Sequence, residues 1–368
     1  MSGQANQDKE DAVRMGKASG QDAIYTSVHN LTIFECSVNV FRASMKEVGP
    51  VKALAAVKPY MNFAGKWYAG AATQRFGKQG NDVEAVAMPY YWVHYGTSCG
   101  HCKPMEIRDG KAIIELYACP TTVVGAPPEI CIAMSHYLAE GLCEAINPAY
   151  EFVFTHHLAN GDDRCRYVVK KKSDKFSLDN PGRLEKTIPL DLSQGEVDTL
   201  MESVAFGGLE QFIFASIDAI GSQRTLELVV PAARNTGLRL GTKLMRDAGG
   251  KKDLLALRDG LDCICSPLSQ IASSALVTES GIEKEITECP FKQWFPPNWQ
   301  SAAPQPEICA QMEAVLSGVC EAMNPDYEFA FDRMMSKGDK TCHWVVRKKA
   351  VGKGTGQQEP MSDDSLGY

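Results

Sequence analysis

The feature that most constrains this chain is an internal repeat, because two copies of one pattern predict two domains with one fold. A ten-residue segment begins at Cys143 as Cys-Glu-Ala-Ile-Asn-Pro and at Cys320 as Cys-Glu-Ala-Met-Asn-Pro, and both copies end in Tyr-Glu-Phe. Each copy spans about 150 residues, the size of one domain. Shorter matches flank the segment in both copies: Glu-Ile-Cys at 129 and 307, Gly-Asp at 161 and 338, Cys at 165 and 342, and Cys-Pro at 119 and 289.

The repeat divides the 368 residues into five parts. We place the first copy at 28–173 and the second at 200–350, with a polar linker at 174–199. The terminal segments 1–27 and 351–368 are polar, and the second is rich in Gly, Ser and Asp, a composition typical of disorder.

Each copy shows the same order of predicted elements, which is helices, a hairpin, a helix and a second hairpin. Apolar residues at three- and four-residue spacing predict the helices, and Asp-Gly or Asn-Gly turns between apolar runs predict the hairpins. The sequence therefore predicts an α+β fold in which each repeat is an antiparallel sheet with helices on one face, and the two repeats pack as a pseudo-dimer. In the first copy the helices are 31–46, 51–76 and 129–146, and the hairpins are 105–119 and 150–171.

Composition narrows the class of protein. The net charge is 38 − 45 = −7, which disfavours a nucleic-acid surface, and no apolar run suggests a membrane span. Thirteen cysteines in a chain whose first residues do not resemble a secretion signal favour a reducing, cytoplasmic location. We expect a small-molecule substrate and no nucleic-acid or membrane partner, with a homo-oligomer as a candidate assembly. Walker, dinucleotide-binding and serine-hydrolase motifs are absent from the sequence.

Four cysteines recur in both copies, and they are either small buried side chains or ligands of a metal. Cys309 and Cys320 are 11 residues apart on a predicted helix and share a face, whereas Cys131 and Cys143 are 12 apart and diverge by roughly 120°. That divergence favours core packing over a shared metal site. Cys119 is the best candidate for a single reactive thiol, because it follows an apolar strand and precedes a proline.

Histidine is concentrated in the first copy, which predicts that this copy is the active half and the second copy is a scaffold. The densest cluster runs from His94 to Cys102 and contains His101 inside a Cys-x-x-Cys motif. Cys99 and Cys102, with His94 or His101, could hold a catalytic metal such as zinc. A redox-active dithiol and a purely structural loop are the alternatives.

Glu115 lies in the predicted strand that ends at Cys119. Strict alternation places both side chains on one face, where the carboxylate could act as a base for the thiol. A solvent-facing carboxylate is the alternative, since Glu285 occupies the matching position in the second copy.

The pattern of Cys119-Pro120, the segment from Cys143 to Pro148, Gly161-Asp162 and Cys165 resembles the L-2-amino-thiazoline-4-carboxylate hydrolase-like family. It also looks like the small-molecule-binding domains related to 4-vinyl reductase. The resemblance implies an enzyme that opens a small heterocycle or cleaves a C–N or C–S bond. The members that we expect have one copy, whereas this chain has two. We therefore expect a hydrolase-like enzyme that uses a metal-bound water or a Cys thiolate, with a non-catalytic sensor or carrier as the alternative.

Overall fold

The protein is described from a computed structural model, which covers residues 21–77, 80–98, 101–178, 181–269, 275–278, 281–288 and 306–349. It has an α+β fold with two antiparallel sheets, which confirms the predicted class. We call residues 21–188 the first half and residues 194–349 the second half.

The first half contains a five-stranded sheet in the order β3-β4-β2-β1-β5. Its inner face packs against α3 and α6 around a core of aromatic and branched side chains. The strands are β1 (Met105–Arg108), β2 (Lys111–Leu116), β3 (Tyr150–His156), β4 (Cys165–Lys171) and β5 (Leu184–Ile188). The helices are α1 (Gln21–Val48), α2 (Pro50–Phe76), α3 (Val83–Thr97), α4 (Pro120–Val123), α5 (Pro128–Cys131) and α6 (Tyr137–Ile146), with a π-helical turn at Ile132–His136 and a 3₁₀ turn at Leu158–Asn160.

The second half contains a four-stranded sheet in the order β6-β7-β9-β8. The strands are β6 (Leu276–Val277), β7 (Gly281–Ile286), β8 (Tyr327–Arg333) and β9 (Cys342–Lys348). The helices are α7 (Gln194–Ile220), α8 (Ser222–Asp247), α9 (Leu254–Ser269) and α10 (Pro306–Met323), with a 3₁₀ turn at Met335–Lys337.

The hairpins form where the turn residues predict them. Asp109 and Gly110 between β1 and β2 both have positive φ, 42° and 69°, as a two-residue hairpin turn requires. The loops of the β3–β4 and β8–β9 hairpins share one design. In the second loop Asp339 accepts a hydrogen bond from the backbone of Met334 at 2.7 Å, as Asp162 does from that of His157 in the first.

Two glycine positions recur in equivalent turns and crossings. Gly49 joins α1 to α2 and Gly221 joins α7 to α8, and both have φ near 80° and ψ of 156°. A Cβ added at Gly141 would overlap the carbonyl oxygen of Asn62, and one added at Gly318 would overlap that of Arg234. The close crossings of α2 with α6 and of α8 with α10 therefore need glycine at the same place.

The first helix of each half packs on the other half. Helix α1 contacts α8 and α9, whereas α7 contacts α2 and α3, and α1 and α7 also pack on each other. Helix α7 is long and apolar enough for a membrane span, contrary to the expectation from sequence, with a mean hydropathy of 1.2 over 18 residues. Seventy-two per cent of that window is buried inside the protein, as in the core helix of a folded domain.

Several predicted boundaries are corrected. Helix α1 begins at Gln21, inside the segment 1–27 that the sequence predicts to be disordered. The predicted linker 174–199 supplies strand β5, which pairs with β1. Helix α3 was not predicted at all, because 11 of its 15 residues are buried and no polar face marks it. The predicted terminal segment 351–368 lies outside the described residues.

Candidate functional site

A cavity of about 70 Å³ lies in the first half, between the inner face of the sheet and helices α2, α3 and α7. This volume is several times what one water molecule needs. Among the described residues that line it there is no Lys, Arg, Asp or Glu. The residues that bring a hydroxyl, thiol, imidazole or amide to the lining are Tyr68, His94, Thr97, Cys119, Thr121, Cys131, Ser135, Cys165, Tyr167 and Gln211.

His94 presents a neutral imidazole to the cavity from the last turn of α3. Burial lowers its pKa to about 4, so the ring is uncharged near pH 7. Its Nδ1 lies 3.1 Å from the carbonyl oxygen of Tyr90. Because a carbonyl only accepts, Nδ1 carries the proton and Nε2 has a free lone pair. No partner for Nε2 occurs among the described residues.

Cys119 lies at the cavity, but not at the end of the strand. Strand β2 ends at Leu116, and Cys119 is the N-cap residue of the short helix α4. Its Sγ lies 2.8 Å from Oγ1 of Thr121. Cys119 and His94 are the two predicted catalytic residues that line the cavity, and their catalytic role stays a prediction.

Two other thiols share the cavity with Cys119. Burial raises the pKa of Cys131 to about 12, and the nearby Cys119 and Cys165 add to the shift. Burial also raises the pKa of Cys165, whose Sγ accepts a hydrogen bond from the backbone N–H of Leu158 at 3.3 Å. Cys342 accepts the same bond from Met335 at 3.2 Å. The recurring Cys165 and Cys342 thus hold their hairpin loops, which agrees with the core-packing alternative.

A π-helical turn shapes the wall between Cys131 and Leu138. The first half has one residue more than the second between its paired helical cysteines, since 143 − 131 = 12 and 320 − 309 = 11. The turn at Ile132–His136 absorbs this extra residue, as π-bulges do. The divergence predicted for Cys131 and Cys143 assumed an unbroken α-helix, and that assumption is wrong. The turn also places Ser135 in the lining.

His136, in the same turn, is stacked rather than catalytic in its setting. Its ring lies 3.5 Å from that of Phe154 and nearly parallel to it, and 5.6 Å from that of His157. Burial, with His157 as a smaller cause, lowers its pKa to about 4. Its Nε2 is buried and without a hydrogen-bond partner among the described residues.

Gln211 is a lining residue that sequence reasoning missed. It comes from α7 of the second half and is 5% exposed. Its Oε1 is buried and has no hydrogen-bond partner among the described residues. The signal in the sequence was a polar pair, Glu210 and Gln211, between the apolar residues Leu209 and Phe212 of this helix.

The Cys-x-x-Cys motif does not meet the cavity at its described residues. Cys99 lies outside the described residues, and His101 and Cys102 are absent from the lining. Cys102 pairs with Leu116 through a β-bridge, and burial raises its pKa to about 12. Within the described ranges no group of three His, Cys, Asp or Glu side chains is placed to hold a metal ion. A metal at Cys99 and Cys102 stays a prediction.

Glu115 does not lie beside Cys119, which corrects its predicted position. Its neighbour Leu116 lines the cavity, so Glu115 points to the opposite face of the sheet. There its carboxylate pairs with Arg164 at 3.1 Å and with Arg166 at 3.5 Å. Alternation failed as a guide because the strand stops three residues before Cys119.

Positions related to the lining by the repeat, where α1 packs on the second half, carry larger or hydrogen-bonded side chains. The matched glycines give the offset between helices, 221 − 49 = 172, so Gly208 corresponds to Cys36, Ala64 to Thr236 and Gln211 to Asn39. Asn39 donates to Thr236 at 3.4 Å, and Thr236 donates to Glu35 at 3.1 Å.

Related positions in the two sheets also carry the larger side chain in the second half. Tyr167 faces Ile114 in the first sheet, and Trp344 faces Lys284 in the second. Trp344 is fully buried, and the buried Lys284 pairs with Asp262 at 2.8 Å. The second sheet thus has an indole where the first has the phenol of Tyr167, and an ion-paired lysine where the first has Ile114.

Comparison of the chain with protein-family models, with curated proteins and with solved structures finds no match.

Proposed function

We propose that this protein binds a small molecule in the cavity of its first half. The observation that carries the proposal is the cavity itself, which brings an imidazole, a thiol and an amide whose oxygen is unpaired among the described residues to one largely apolar space. Such a space with a few convergent polar groups is the usual form of a small-molecule site.

We infer further that the halves are two copies of one module, arranged about an approximate two-fold axis, with the second copy as scaffold. The reciprocal packing of α1 and α7, the matched turns at Gly49 and Gly221 and the matched hairpin loops support this arrangement. The buried Trp344 and the pair of Lys284 with Asp262 support the scaffold role. The free thiols among the described cysteines fit a cytoplasmic location.

Hydrolysis of a C–N or C–S bond is the second candidate function, favoured because Cys119 and His94 line one cavity. In this reaction Nε2 of His94 takes the proton of the Cys119 thiol, and the thiolate attacks an electrophilic carbon. The amine or thiol that leaves receives that proton. Water then cleaves the resulting thioester and restores the free thiol.

Binding of toluene and phenol, followed by ligand-observed NMR and by thermal shift, tests the binding function. We expect at least one to bind at millimolar concentration to the wild-type protein, and neither to bind to Gly208→Met, whose side chain fills the cavity. Gly70→Met is the matched control, because Gly70 is exposed and an added Cβ there meets nothing within 4 Å. Failure of both compounds to bind would overturn the proposal.

Turnover of acetanilide and S-phenyl thioacetate tests the second candidate. We expect Cys119→Ser and His94→Phe to lower any turnover at least tenfold, while Cys102→Ser leaves it unchanged. Full turnover in Cys119→Ser would remove this candidate and leave the binding function intact.

A further inference from the structure

The cavity has a chemical preference that its shape alone does not show. The described residues of its lining include no Lys, Arg, Asp or Glu, and the one imidazole among them is neutral near pH 7. A carboxylate or ammonium ion would lose its hydration there without gaining a partner of opposite charge, which is strongly unfavourable. The lining therefore selects against charged ligands.

Two acceptors at the cavity lack donors among the described residues. One is Oε1 of Gln211, on a side chain that is 5% exposed. The other is Nε2 of His94, whose opposite nitrogen is already committed to the Tyr90 carbonyl. Oε1 of Gln211 is buried, and a buried acceptor without a partner destabilises the protein, so a ligand donor that reaches it recovers that free energy.

At the related contact, where α1 packs on the second half, the matching amide donates its N–H to a neighbouring hydroxyl, Oγ1 of Thr236 at 3.4 Å. Asn39 corresponds to Gln211, and its amide is bonded to Thr236. In the first half the position of Thr236 is taken by Ala64, which has no side-chain hydroxyl and lines the cavity. The exchange of Thr for Ala thus removes a hydroxyl from the neighbourhood of Gln211 and opens space beside it.

We propose that the cavity binds an uncharged ligand with an N–H or O–H donor, and that this donor bonds to Gln211 and His94. The inference rests on the proposed binding function and adds the chemical class of its ligand. Because Gln211 belongs to α7, the ligand lies at the contact between the two halves. Phenols, neutral azoles and small amides or thioamides have this chemistry.

Three one-ring probes distinguish the contribution of a hydrogen-bond donor to affinity from the contributions of the aromatic ring and of charge. Phenol has a donor, toluene has none, and benzoate has a charge. We expect the dissociation constant of phenol to be at least fivefold lower than that of toluene and at least tenfold lower than that of benzoate, by isothermal titration calorimetry on the full chain. Equal affinity for phenol and toluene, or tighter binding of benzoate, would overturn the inference while leaving the binding function in place.

Substitution of the amide identifies the acceptor. We expect Gln211→Leu to bring the affinities for phenol and toluene within twofold of each other, with toluene binding retained as evidence that the cavity is intact. Asn39→Leu, at the related position, is the control and should keep the preference for phenol. A fivefold preference that survives in Gln211→Leu contradicts the assignment. If neither phenol nor toluene binds to the wild-type protein, the proposed binding function is overturned as well.

Discussion

The two halves share turns, hairpin loops and helix crossings, yet they differ where the first half has its cavity. At the cavity Ala64 of the first half and Gly208 of the second half leave space that Tyr167 does not fill. In the second half the related Thr236 joins a hydrogen-bonded chain and Trp344 is fully buried. The comparison teaches that positions kept in both halves hold the backbone, whereas positions that differ decide whether a site exists.

The largest expected effect tests whether the shared crossings are equivalent. Gly141→Ala and Gly318→Ala should each lower the free energy of unfolding by at least about 3 kcal/mol, because the added methyl overlaps a backbone carbonyl. Urea denaturation measures both. Gly70→Ala, in an exposed helical position, should instead stabilise the protein by up to about 1 kcal/mol. A mild effect at only one crossing would break the equivalence of the halves.

A smaller effect sharpens the difference between the halves. His136 has no histidine counterpart in the second half, and its pKa is about 4 when folded against an ordinary 6.5. The unfolded chain therefore binds more protons between these values, so the stability that His136 contributes falls as the pH drops from 6.5 to 4. Replacing it by Phe keeps the stack on Phe154 and should remove on the order of 2 kcal/mol of that loss.

The measurement is the difference in unfolding free energy between His136→Phe and wild type at pH 7.5 and pH 5. The difference is needed because Glu210 acts in the opposite sense. Burial raises its pKa to about 8, so its contribution to stability falls as the pH rises from 4.5 to 8. A difference that does not change with pH would show that His136 is not buried as described.

The smallest expected effect tests the shared hairpin loops. Asp162→Ala and Asp339→Ala each remove one hydrogen bond to a backbone N–H and should cost about 0.5–1.5 kcal/mol in thermal or urea unfolding. We expect the two costs to agree within about 0.5 kcal/mol, since the loops have one design. A clear inequality would mean that these loops support different surroundings.

Much of the fold could be predicted because its signals are local. Asp109-Gly110 fixes one hairpin, and the repeated Gly-Asp and Cys positions mark the other. Helix α3 escaped prediction because a helix buried on nearly all sides has no apolar stripe. The extra residue before Cys143 was visible, but only tertiary structure shows that a π-turn absorbs it.

The site was predicted less well, because its residues meet through tertiary packing. His94 and Cys119 were named for their chemistry, and both line the cavity. The predicted position of Glu115 is wrong because side-chain alternation was extended to Cys119, whereas β2 ends at Leu116. Gln211 lies in the other half, and nothing local in its helix indicates that its amide reaches a cavity of the first half.

The reciprocal packing of α1 and α7 predicts how the protein behaves when its chain is cut into two fragments. If the backbone is cut between β5 and α7, each fragment keeps its own sheet. The apolar groove of each fragment is then covered only when the first helix of the other fragment binds to it. We therefore expect the fragments to associate with each other, and each fragment alone to fold poorly, because it buries too little apolar surface. Because α7 also supplies Gln211, a ligand that fits the cavity would report their reunion, which makes this polypeptide suitable for a split-protein sensor.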